Sequence, residues 1–370
     1  MKREMILTAG PSITSRELEY IADAAENGWN SQWSKYINKF ESTMAEYVGV
    51  PFSHATSSCT GGLHLALMAL GVGPGDEVIV PELTWVATAS AVAYTGAKPV
   101  FIDVDPETWT LDPAQLEKKL SPKTKAIMPV HLYGHPAKMD EIMAFAQHHN
   151  IYVVEDAAPA VGAECFGKRA GSFGDLGVFS FQGAKLMVTG EGGMVVANNK
   201  AAFDRVLKLN NHGRATDTDR AFWIDEVGYK YRMSNLQAAF GLGQLERVDE
   251  LIRRKREIFD LYEDRLKDVS GLRLNKEAKW AKSIYWMTSI CLDQKLRVGR
   301  DELIVKLRND GIDTRAVFPA ISQYPMWETQ PSPFAINIGD NAINLPSGHN
   351  LTTKEIDYVC ERIKYHLEPL

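Results

Sequence analysis

The sequence predicts an α/β protein: a large domain with a mainly parallel, mixed sheet between layers of helices, followed by a smaller C-terminal α/β domain. Short apolar runs alternate with helical patterns over most of the chain, as expected for parallel strands joined by helical crossovers. A chain of 370 residues is long for one hydrophobic core. A long, charged helical pattern at 248–267 divides it, so we expect a large domain at 1–247 and a small domain at 248–370 that is entered through this helix.

The first helices are predicted from capping patterns and apolar spacing. Thr14 and Glu17 have the form of a capping box, and apolar residues at helical spacing extend the pattern to Gly28. From Ala55, small and hydroxyl residues precede an apolar helix that ends at Gly71. Between these two helices, aromatic residues recur every three or four positions, which predicts that they pack in the core. They are Trp29, Trp33, Tyr36 and Phe40.

The alternation of strands and helices fills the rest of the predicted large domain. Short apolar runs predict strands at 77–81, 98–104, 125–130, 151–154, 178–181 and 194–197. Helical patterns lie at 85–94, after the Asp112–Pro113 N-cap, at 138–147, at 201–208 and after the Ser234 capping box. In the C-terminal part we expect strands at 284–292 and 311–317, a helix at 301–309, a proline-rich loop at 319–333 and a final helix from about Thr352.

Charge and cysteine spacing argue against several classes of function. The 41 basic and 47 acidic residues give a formal charge of −6, and the densest basic cluster, at 253–256, is flanked by acidic residues, so we expect no nucleic-acid partner. The four cysteines, Cys59, Cys165, Cys291 and Cys360, are too far apart in sequence to suggest a metal site or a disulfide framework. Without a signal-peptide pattern or an apolar run of transmembrane length, we expect a cytoplasmic protein with no membrane association.

Residues suited to catalysis follow several of the predicted strands. Lys185 has apolar neighbours, and burial would lower its pKa towards that of a nucleophilic amine. Asp156 follows a fully apolar strand, and Ser180 lies in the strand that precedes the lysine. Because ligands collect at the carboxyl ends of parallel strands, we expect these side chains to form one site. His131 and His135 also follow a strand, but packing or loop bridging explains them without a metal ion.

The hydroxyl-rich turn after Ala55 completes this set of groups. A turn that opens a helix offers free N–H groups and the positive end of the helix dipole to a phosphate. Ordinary N-capping would produce the same residues. A nucleophilic lysine, a buried aspartate, a phosphate site and an aromatic plate are together what pyridoxal 5'-phosphate requires.

Several motifs also resemble the DegT/DnrJ/EryC1/StrS family of sugar aminotransferases. The residues that carry the resemblance lie at 155–163, 171–185, 189–193 and 228–239, and the stretch at 71–88 is similar too. The similarity extends over essentially the whole chain, and the stretch around Lys185 is the most specific. It implies a fold-type-I aminotransferase that uses pyridoxal 5'-phosphate and works as a homodimer with shared active sites.

The resemblance implies a role for each residue that matches a family motif. Lys185 would bind the cofactor covalently and then carry a proton between substrate and cofactor. Asp156 would pair with the pyridine nitrogen, and Trp85 would stack on the ring. The cofactor phosphate would be held by Cys59, Thr60, Ser180 and, reaching across from the partner subunit, Lys230.

The chain departs from the family pattern at three of these motif positions. Cys59 stands where members often have glycine, so a backbone with positive φ would be strained there. Lys230 replaces an asparagine that is frequent in the family. Pro159 replaces a polar residue that contacts the cofactor ring, and proline cannot make that contact.

The implied reaction moves an amino group from an amino acid, expected to be glutamate, to a keto carbon of a nucleotide-linked deoxysugar. Arg214 and Arg232 are candidates for the donor carboxylate or the sugar diphosphate, although surface ion pairing explains each as well. His135 and Tyr324 are candidates for the acceptor side.

The position of amination is expected from two further motifs. The segments at 189–193 and 345–348 resemble members that act on the 4-keto position more than those that act on the 3-keto position. A dehydratase is the first alternative, but members with that activity carry histidine in place of Lys185. A non-catalytic regulator is the second, and the intact Lys185 and Asp156 argue against it. The product would enter a surface polysaccharide, such as the O-antigen of lipopolysaccharide, or a natural product.

Overall fold

A computed structural model describes residues 4–367 of the chain. The helices are α1 (Ser15–Asn27), α2 (Lys35–Val48), α3 (Cys59–Ala69), α4 (Ala87–Tyr94), α5 (Leu116–Lys119), α6 (Met139–His149), α7 (Lys200–Leu209), α8 (Asn235–Leu245), α9 (Val248–Leu266), α10 (Arg300–Asn309), α11 (Pro333–Asn341) and α12 (Thr353–Leu367). The strands are β1 (Phe52–Thr56), β2 (Glu77–Pro81), β3 (Lys98–Ile102), β4 (Thr124–Ile127), β5 (Tyr152–Asp156), β6 (Glu164–Cys165), β7 (Lys168–Arg169), β8 (Leu176–Ser180), β9 (Gly193–Ala197), β10 (Leu272–Leu274), β11 (Ala281–Lys282), β12 (Ser289–Leu292), β13 (Arg315–Ala316) and β14 (Ala342–Asn344).

A seven-stranded sheet forms the centre of the molecule, in the order β1-β9-β8-β5-β4-β2-β3. The five strands from β8 to β3 are parallel, and β9 and β1 pair antiparallel at one edge. Every residue of β8 and β9 is buried, as expected for strands covered by helices on both faces. The mainly parallel α/β fold predicted from the alternating pattern is therefore confirmed.

A second, antiparallel sheet lies in the C-terminal part, in the order β10-β12-β14-β13. It shares a hydrophobic core with α9, α10 and α12. The N-terminal segment also joins this part, because Ile6 bridges Ile312 and the hydroxyl of Thr8 donates to Asp313 Oδ2 over 2.6 Å. The predicted division at residue 247 stays a prediction.

Two buried carboxylates attach the segment after β13 to the large sheet. Asp103 accepts hydrogen bonds from the N–H groups of Phe334 and Ala335, at 3.1 and 2.8 Å, in the first turn of α11. Glu82, which is fully buried, accepts from both the hydroxyl and the N–H of Ser322. These contacts hold the segment across the end of the central sheet, next to the cavity described below.

The first helix and α9 follow their predictions closely. Thr14 and Glu17 form the expected capping box, and α9 begins at Val248 as predicted. The strand predicted at 284–292 is largely wrong, since only Ser289–Leu292 is extended and Tyr285 has a φ of 48°. β1, α11 and β14 were not predicted.

The expectation for the early aromatic residues is half wrong. Tyr36 and Phe40 pack in the core on α2, as predicted. Trp29 and Trp33 are 59% and 47% exposed, because they precede α2 rather than share its buried face. Trp33 instead lies under the guanidinium of Arg232, with 4.6 Å between Cζ and the ring centroid.

Within residues 4–367, no helix combines the length and the apolar character needed to cross a bilayer.

Candidate active site

A cavity of about 470 Å³ lies at the carboxyl ends of the parallel strands. Most of the residues predicted for the cofactor site line it, namely Cys59, Thr60, Trp85, Asp156, Ser180 and Lys185. The structure therefore brings together side chains that are up to 126 positions apart in sequence, from Cys59 to Lys185. Ser58, Thr88, Trp286 and Phe318 also line the cavity and were not predicted.

Asp156 ends β5 with its carboxylate inside the cavity wall. Its Oδ2 accepts from the Thr88 hydroxyl over 2.7 Å, and its Oδ1 accepts from Ala158 N–H over 3.2 Å. Burial raises the pKa of this carboxyl above its usual range, although its hydrogen bonds and the nearby Lys185 oppose the shift. Within residues 4–367 no basic side chain forms an ion pair with it. A buried carboxyl group that has no basic partner is suited to bind a protonated nitrogen.

The neighbouring Glu155 points away from the cavity and organises the loop after β7. It accepts hydrogen bonds from the N–H groups of Gly171, Phe173 and Gly174 at 2.7–2.8 Å. His131 Nε2 lies 3.0 Å from the same carboxylate, while its Nδ1 accepts from Ala137 N–H over 2.9 Å. Both ring nitrogens are thus used in packing, which confirms that His131 bridges loops.

The N-terminus of α3 forms the opposite side of the cavity. Ser58 caps the helix by accepting from Gly61 N–H over 3.1 Å. The N–H groups of Cys59 and Thr60 lie in the first helical turn, where no intrahelical acceptor exists. They can therefore bind an anion together with the positive end of the helix dipole.

β9 approaches this helix so closely that a glycine is required at its first position. A Cβ at Gly193 would lie 2.7 Å from both Cys59 N and Ser58 C, which are backbone atoms. Gly193 therefore sets the separation between β9 and the first turn of α3.

Cys59 is not strained by its position. It is the first residue of α3 and does not belong to the residues with positive φ, so the strain considered for a non-glycine residue here does not arise. Its Sγ lies 3.9 Å from Val178 O, and burial raises the pKa of the thiol well above its usual value. The thiol is therefore a neutral packing group, and the N–H of Cys59 remains available.

Lys185 lies in a tightly bonded loop after β8. Its N–H donates to Gln182 O over 2.8 Å, and Gly183 N–H donates to Gly190 O over 2.9 Å. Burial lowers the pKa of the Lys185 amine, while Asp156 acts in the opposite direction. A larger fraction of this amine is neutral, and therefore nucleophilic, than for an exposed lysine.

An aromatic wall closes the cavity on the side of the C-terminal part. Trp85 contacts Phe318, Phe318 stacks on Tyr133, and Tyr133 stacks on Trp286, with centroid separations of 5.5, 5.6 and 5.9 Å. Trp286 lies against Lys185, with 3.9 Å between Nζ and the ring centroid. The positions of Trp286 and Phe318 in the cavity were not predicted, because both residues belong to segments that are neither helix nor strand in the structure.

Five predicted residues do not line this cavity. His135 is buried, with Nδ1 2.7 Å from Pro136 O and Nε2 accepting from Ala278 N–H, and burial lowers its pKa to about 4. Arg214 lines a separate surface hollow. The other three lie outside the cavity lining and are Lys230, Arg232 and Tyr324. Their substrate and cofactor roles stay predictions.

Comparison with known proteins identifies the family. The model of the DegT/DnrJ/EryC1/StrS aminotransferase family matches residues 11–364. The chain belongs to this family. It is 45% identical to the GDP-perosamine synthase of Escherichia coli O157:H7 over 95% of this chain and 96% of that protein. The GDP-perosamine synthase of Caulobacter vibrioides is 43% identical over 96% of each chain.

Solved structures of aminotransferases share the fold. DesI, determined in the presence of its TDP-sugar product, superposes with a TM-score of 0.90 at 30% identity and covers 98% of this chain and 93% of its own. The PLP form of Spr1654 from Streptococcus pneumoniae gives a TM-score of 0.91 at 26% identity and covers 99% of this chain and 100% of its own. The fold-type-I class, the transaminase activity and the pyridoxal 5'-phosphate cofactor are confirmed.

The described residues fit this cofactor. The buried acid Asp156 suits the ring nitrogen, the first turn of α3 suits the phosphate, and Lys185 suits the aldehyde. When bound, pyridoxal 5'-phosphate supplies an aldehyde that condenses with amines and a ring that withdraws electrons. With the cofactor bound, Asp156 would orient the ring, the first turn of α3 would bind the phosphate, and Nζ of Lys185 would accept and donate a proton.

Proposed function

We propose that this aminotransferase moves the amino group of L-glutamate to C4 of a nucleotide-linked 4-keto-6-deoxysugar. The observation that carries the proposal is the 45% identity to a GDP-perosamine synthase over almost the full length of both chains. A GDP-linked sugar is therefore the first acceptor to test. The product would enter a surface polysaccharide such as the O-antigen of lipopolysaccharide.

The cavity supports an acceptor of this class. Its lining includes the charged residues Asp156 and Lys185 and the hydroxyl group of Ser180. Trp85, Phe318 and Trp286 form an apolar wall. Trp85 lines the cavity and is 54% exposed, so we expect the nucleotide to lie on this side of the cavity. An apolar wall favours a sugar that carries a methyl group at C6 over one with a hydroxymethyl group.

A panel of acceptors tests the reaction. The holoenzyme is incubated with L-glutamate and, separately, with GDP-linked and dTDP-linked 4-keto-6-deoxysugars, and the amino sugar is located by NMR. Amination at C4 of one of these sugars is the expected result. Amination at C3, or loss of a hydroxyl group without amination, would reject this proposal in favour of a 3-keto aminotransferase or a dehydratase. The same assay with L-aspartate or L-alanine tests the donor.

The second part of the proposal is a homodimer in which Lys230 acts in the partner's site. Lys230 is exposed and lies outside the cavity of its own chain. Large apolar side chains are exposed in the same region of the sequence, at Phe222, Trp223, Ile224 and Val227, and a second copy of the chain would cover them.

Mixing two inactive variants tests the shared site. Lys185→Ala lacks the reactive amine, and Lys230→Ala lacks the cation proposed to act in trans. Each heterodimer would contain one intact site, so a random mixture is expected to recover roughly a quarter of wild-type activity. No recovery, together with a monomeric mass in solution, would overturn this part of the proposal.

We also propose a cytoplasmic location and a functional division of the chain at residue 247. The described cysteines are all free, which supports a reducing compartment. The first turns of α9 pack in one hydrophobic core through Leu251 and Ile252, and its later turns pack in the core of the antiparallel sheet, which supports a division near the start of this helix. Fractionation of cells and limited proteolysis around α9 test these two points.

A further inference from the structure

Trp286 makes two separate contacts with the segment that carries the reactive lysine. Its ring lies against the amino group, with 3.9 Å between Lys185 Nζ and the ring centroid. Its indole N–H donates to Ala184 O over 2.7 Å, which is the carbonyl immediately before Lys185 in the chain. One side chain therefore contacts both the backbone and the functional group of this segment.

Contacts with Tyr133 and Lys255 hold Trp286 in position. The indole stacks on Tyr133 at an interplanar angle of 24°, and Trp286 is 6% exposed. Lys255, on α9, donates from Nζ to Trp286 O over 3.1 Å and to Ser347 O. Lys255 thus joins α9 to the segment that carries the tryptophan.

Lys255 is an unusual residue to find in such a place. It is 3% exposed, and in the described part of the chain it forms no ion pair with a carboxylate. Burial lowers its pKa to about 7. A buried lysine without an acidic partner is destabilising, so packing alone does not explain it.

We propose that Trp286 positions the amino group of Lys185 inside the cavity and stabilises its protonated form, and that Lys255 is the positioning residue that holds Trp286. The inference rests on the proposed role of Lys185 as the cofactor-binding residue. The attraction between an ammonium group and the face of an indole provides the physical basis.

Other groups also face the Lys185 amine. Asp156, at the end of β5, favours the protonated form, whereas the neutral thiol of Cys59, on α3, contributes no charge. The ring of Trp286 is the contact from the C-terminal part. Removing the ring therefore leaves Asp156 and Cys59 in place and isolates the contribution of the tryptophan.

The test measures the amine in cofactor-free protein, so that it does not depend on turnover. Purified variants are acetylated with trace acetic anhydride from about pH 6 to about pH 10, and labelling of Lys185 is followed by peptide mass spectrometry. Trp286→Leu is expected to move the midpoint of the labelling profile to lower pH, with a roughly 3- to 30-fold higher rate near neutral pH. Wider access alone would raise the rate by one factor at every pH and leave the midpoint unchanged.

Two further variants keep the test decisive if Trp286→Leu fails to fold. Trp286→Phe weakens the ring contact and removes the donor to Ala184 O, and Lys255→Met removes the support of the Trp286 carbonyl. Both are expected to shift the Lys185 midpoint in the same direction as Trp286→Leu, by a smaller amount. Wild-type midpoints in both folded variants would overturn the proposal.

Trp280 provides a matched control. Lys138 Nζ lies 4.9 Å from its ring centroid, in a similar contact away from the cavity. Trp280→Leu is expected to change the labelling of Lys138 and leave that of Lys185 unchanged, and an equal change at Lys185 would overturn the proposal. A wild-type protein whose Lys185 fails to bind the cofactor would instead reject the proposed function, which separates the two failures.

Discussion

The hydroxyl of Thr88 donates to Oδ2 of Asp156 over 2.7 Å, from α4 to the end of β5. A second hydroxyl, that of Thr84, lies 3.2 Å from Thr88 Oγ1. Since Thr88 donates its single proton to the carboxylate, Thr84 donates to Thr88. This short chain of hydroxyl groups fixes the orientation of the acid that we expect to face the cofactor nitrogen.

We predict that Thr88→Val weakens cofactor binding without unfolding the protein. The variant keeps the shape of the side chain but removes the donor to a buried carboxylate, which costs about 1–3 kcal/mol, or roughly a 5- to 100-fold loss of affinity. Equilibrium dialysis with pyridoxal 5'-phosphate measures the loss. Thr95→Val is the control, because the Thr95 hydroxyl bonds only to its own helix end. Equal affinity in the Thr88 variant and the wild type would contradict the prediction.

Asp156→Asn is predicted to lose activity and to gain stability in cofactor-free protein. Burial raises the pKa of Asp156 above the usual value of an aspartate carboxyl group. Between the unfolded and folded pKa values the folded protein holds a proton that the unfolded chain has lost, so its free energy of unfolding falls as the pH rises.

Urea unfolding at several pH values checks this prediction. The stability of Asp156→Asn relative to the wild type should increase from about pH 4 upwards, and its transaminase activity should fall at least 100-fold because the neutral amide cannot hold a protonated ring nitrogen. A variant that is less stable than the wild type at all pH values would show that the carboxylate serves the fold instead.

Gly193→Ala is predicted to displace the first turn of α3, which we expect to bind the cofactor phosphate. The new Cβ would lie 2.7 Å from the backbone of Ser58 and Cys59, and relieving that overlap costs about 1–3 kcal/mol. We expect cofactor affinity to fall roughly 5- to 100-fold. Gly183→Ala, in the loop between β8 and β9, is the control, since its Cβ would meet only Gly190 O at 3.7 Å. Equal affinities of the two variants would refute the steric argument.

Lys255 should give the protein a distinctive dependence of stability on pH. Burial lowers its pKa in the folded state to about 7, from an ordinary lysine value of 10.5. Between these values the unfolded chain binds the extra proton, so the free energy of unfolding rises with pH.

The comparison with Lys255→Met isolates this contribution. The wild type should gain about 1–3 kcal/mol over the variant between about pH 7 and about pH 9, as measured by urea unfolding. A difference that stays constant across this range would show that Lys255 keeps an ordinary pKa.

The central sheet and the residues on it could be predicted because their signals are local. Short apolar strands and capped helices identify the α/β pattern, and the carboxyl-end rule brings Asp156, Ser180 and Lys185 to one edge. The motifs around Lys185 also predicted the protein family, which the comparisons confirm.

The contributions from the C-terminal part could not be predicted because they depend on distant contacts. The first turn of α11 is capped by Asp103, more than 200 residues earlier, so no local signal separates this helix from the proline-rich loop before it. Trp286 and Phe318 reach the cavity only because the segments that carry them fold back onto the sheet. The side chain that lies against the reactive lysine was therefore missed.

The most direct test of the account is to identify the lysine that binds the cofactor. The holoenzyme is reduced with borohydride and digested, and the modified peptide is sequenced by mass spectrometry, with Lys185→Ala as the control. We predict a single phosphopyridoxyl group on Lys185 and none in the variant. A phosphopyridoxyl group on another lysine in the wild type would contradict the assignment of the cavity as the active site.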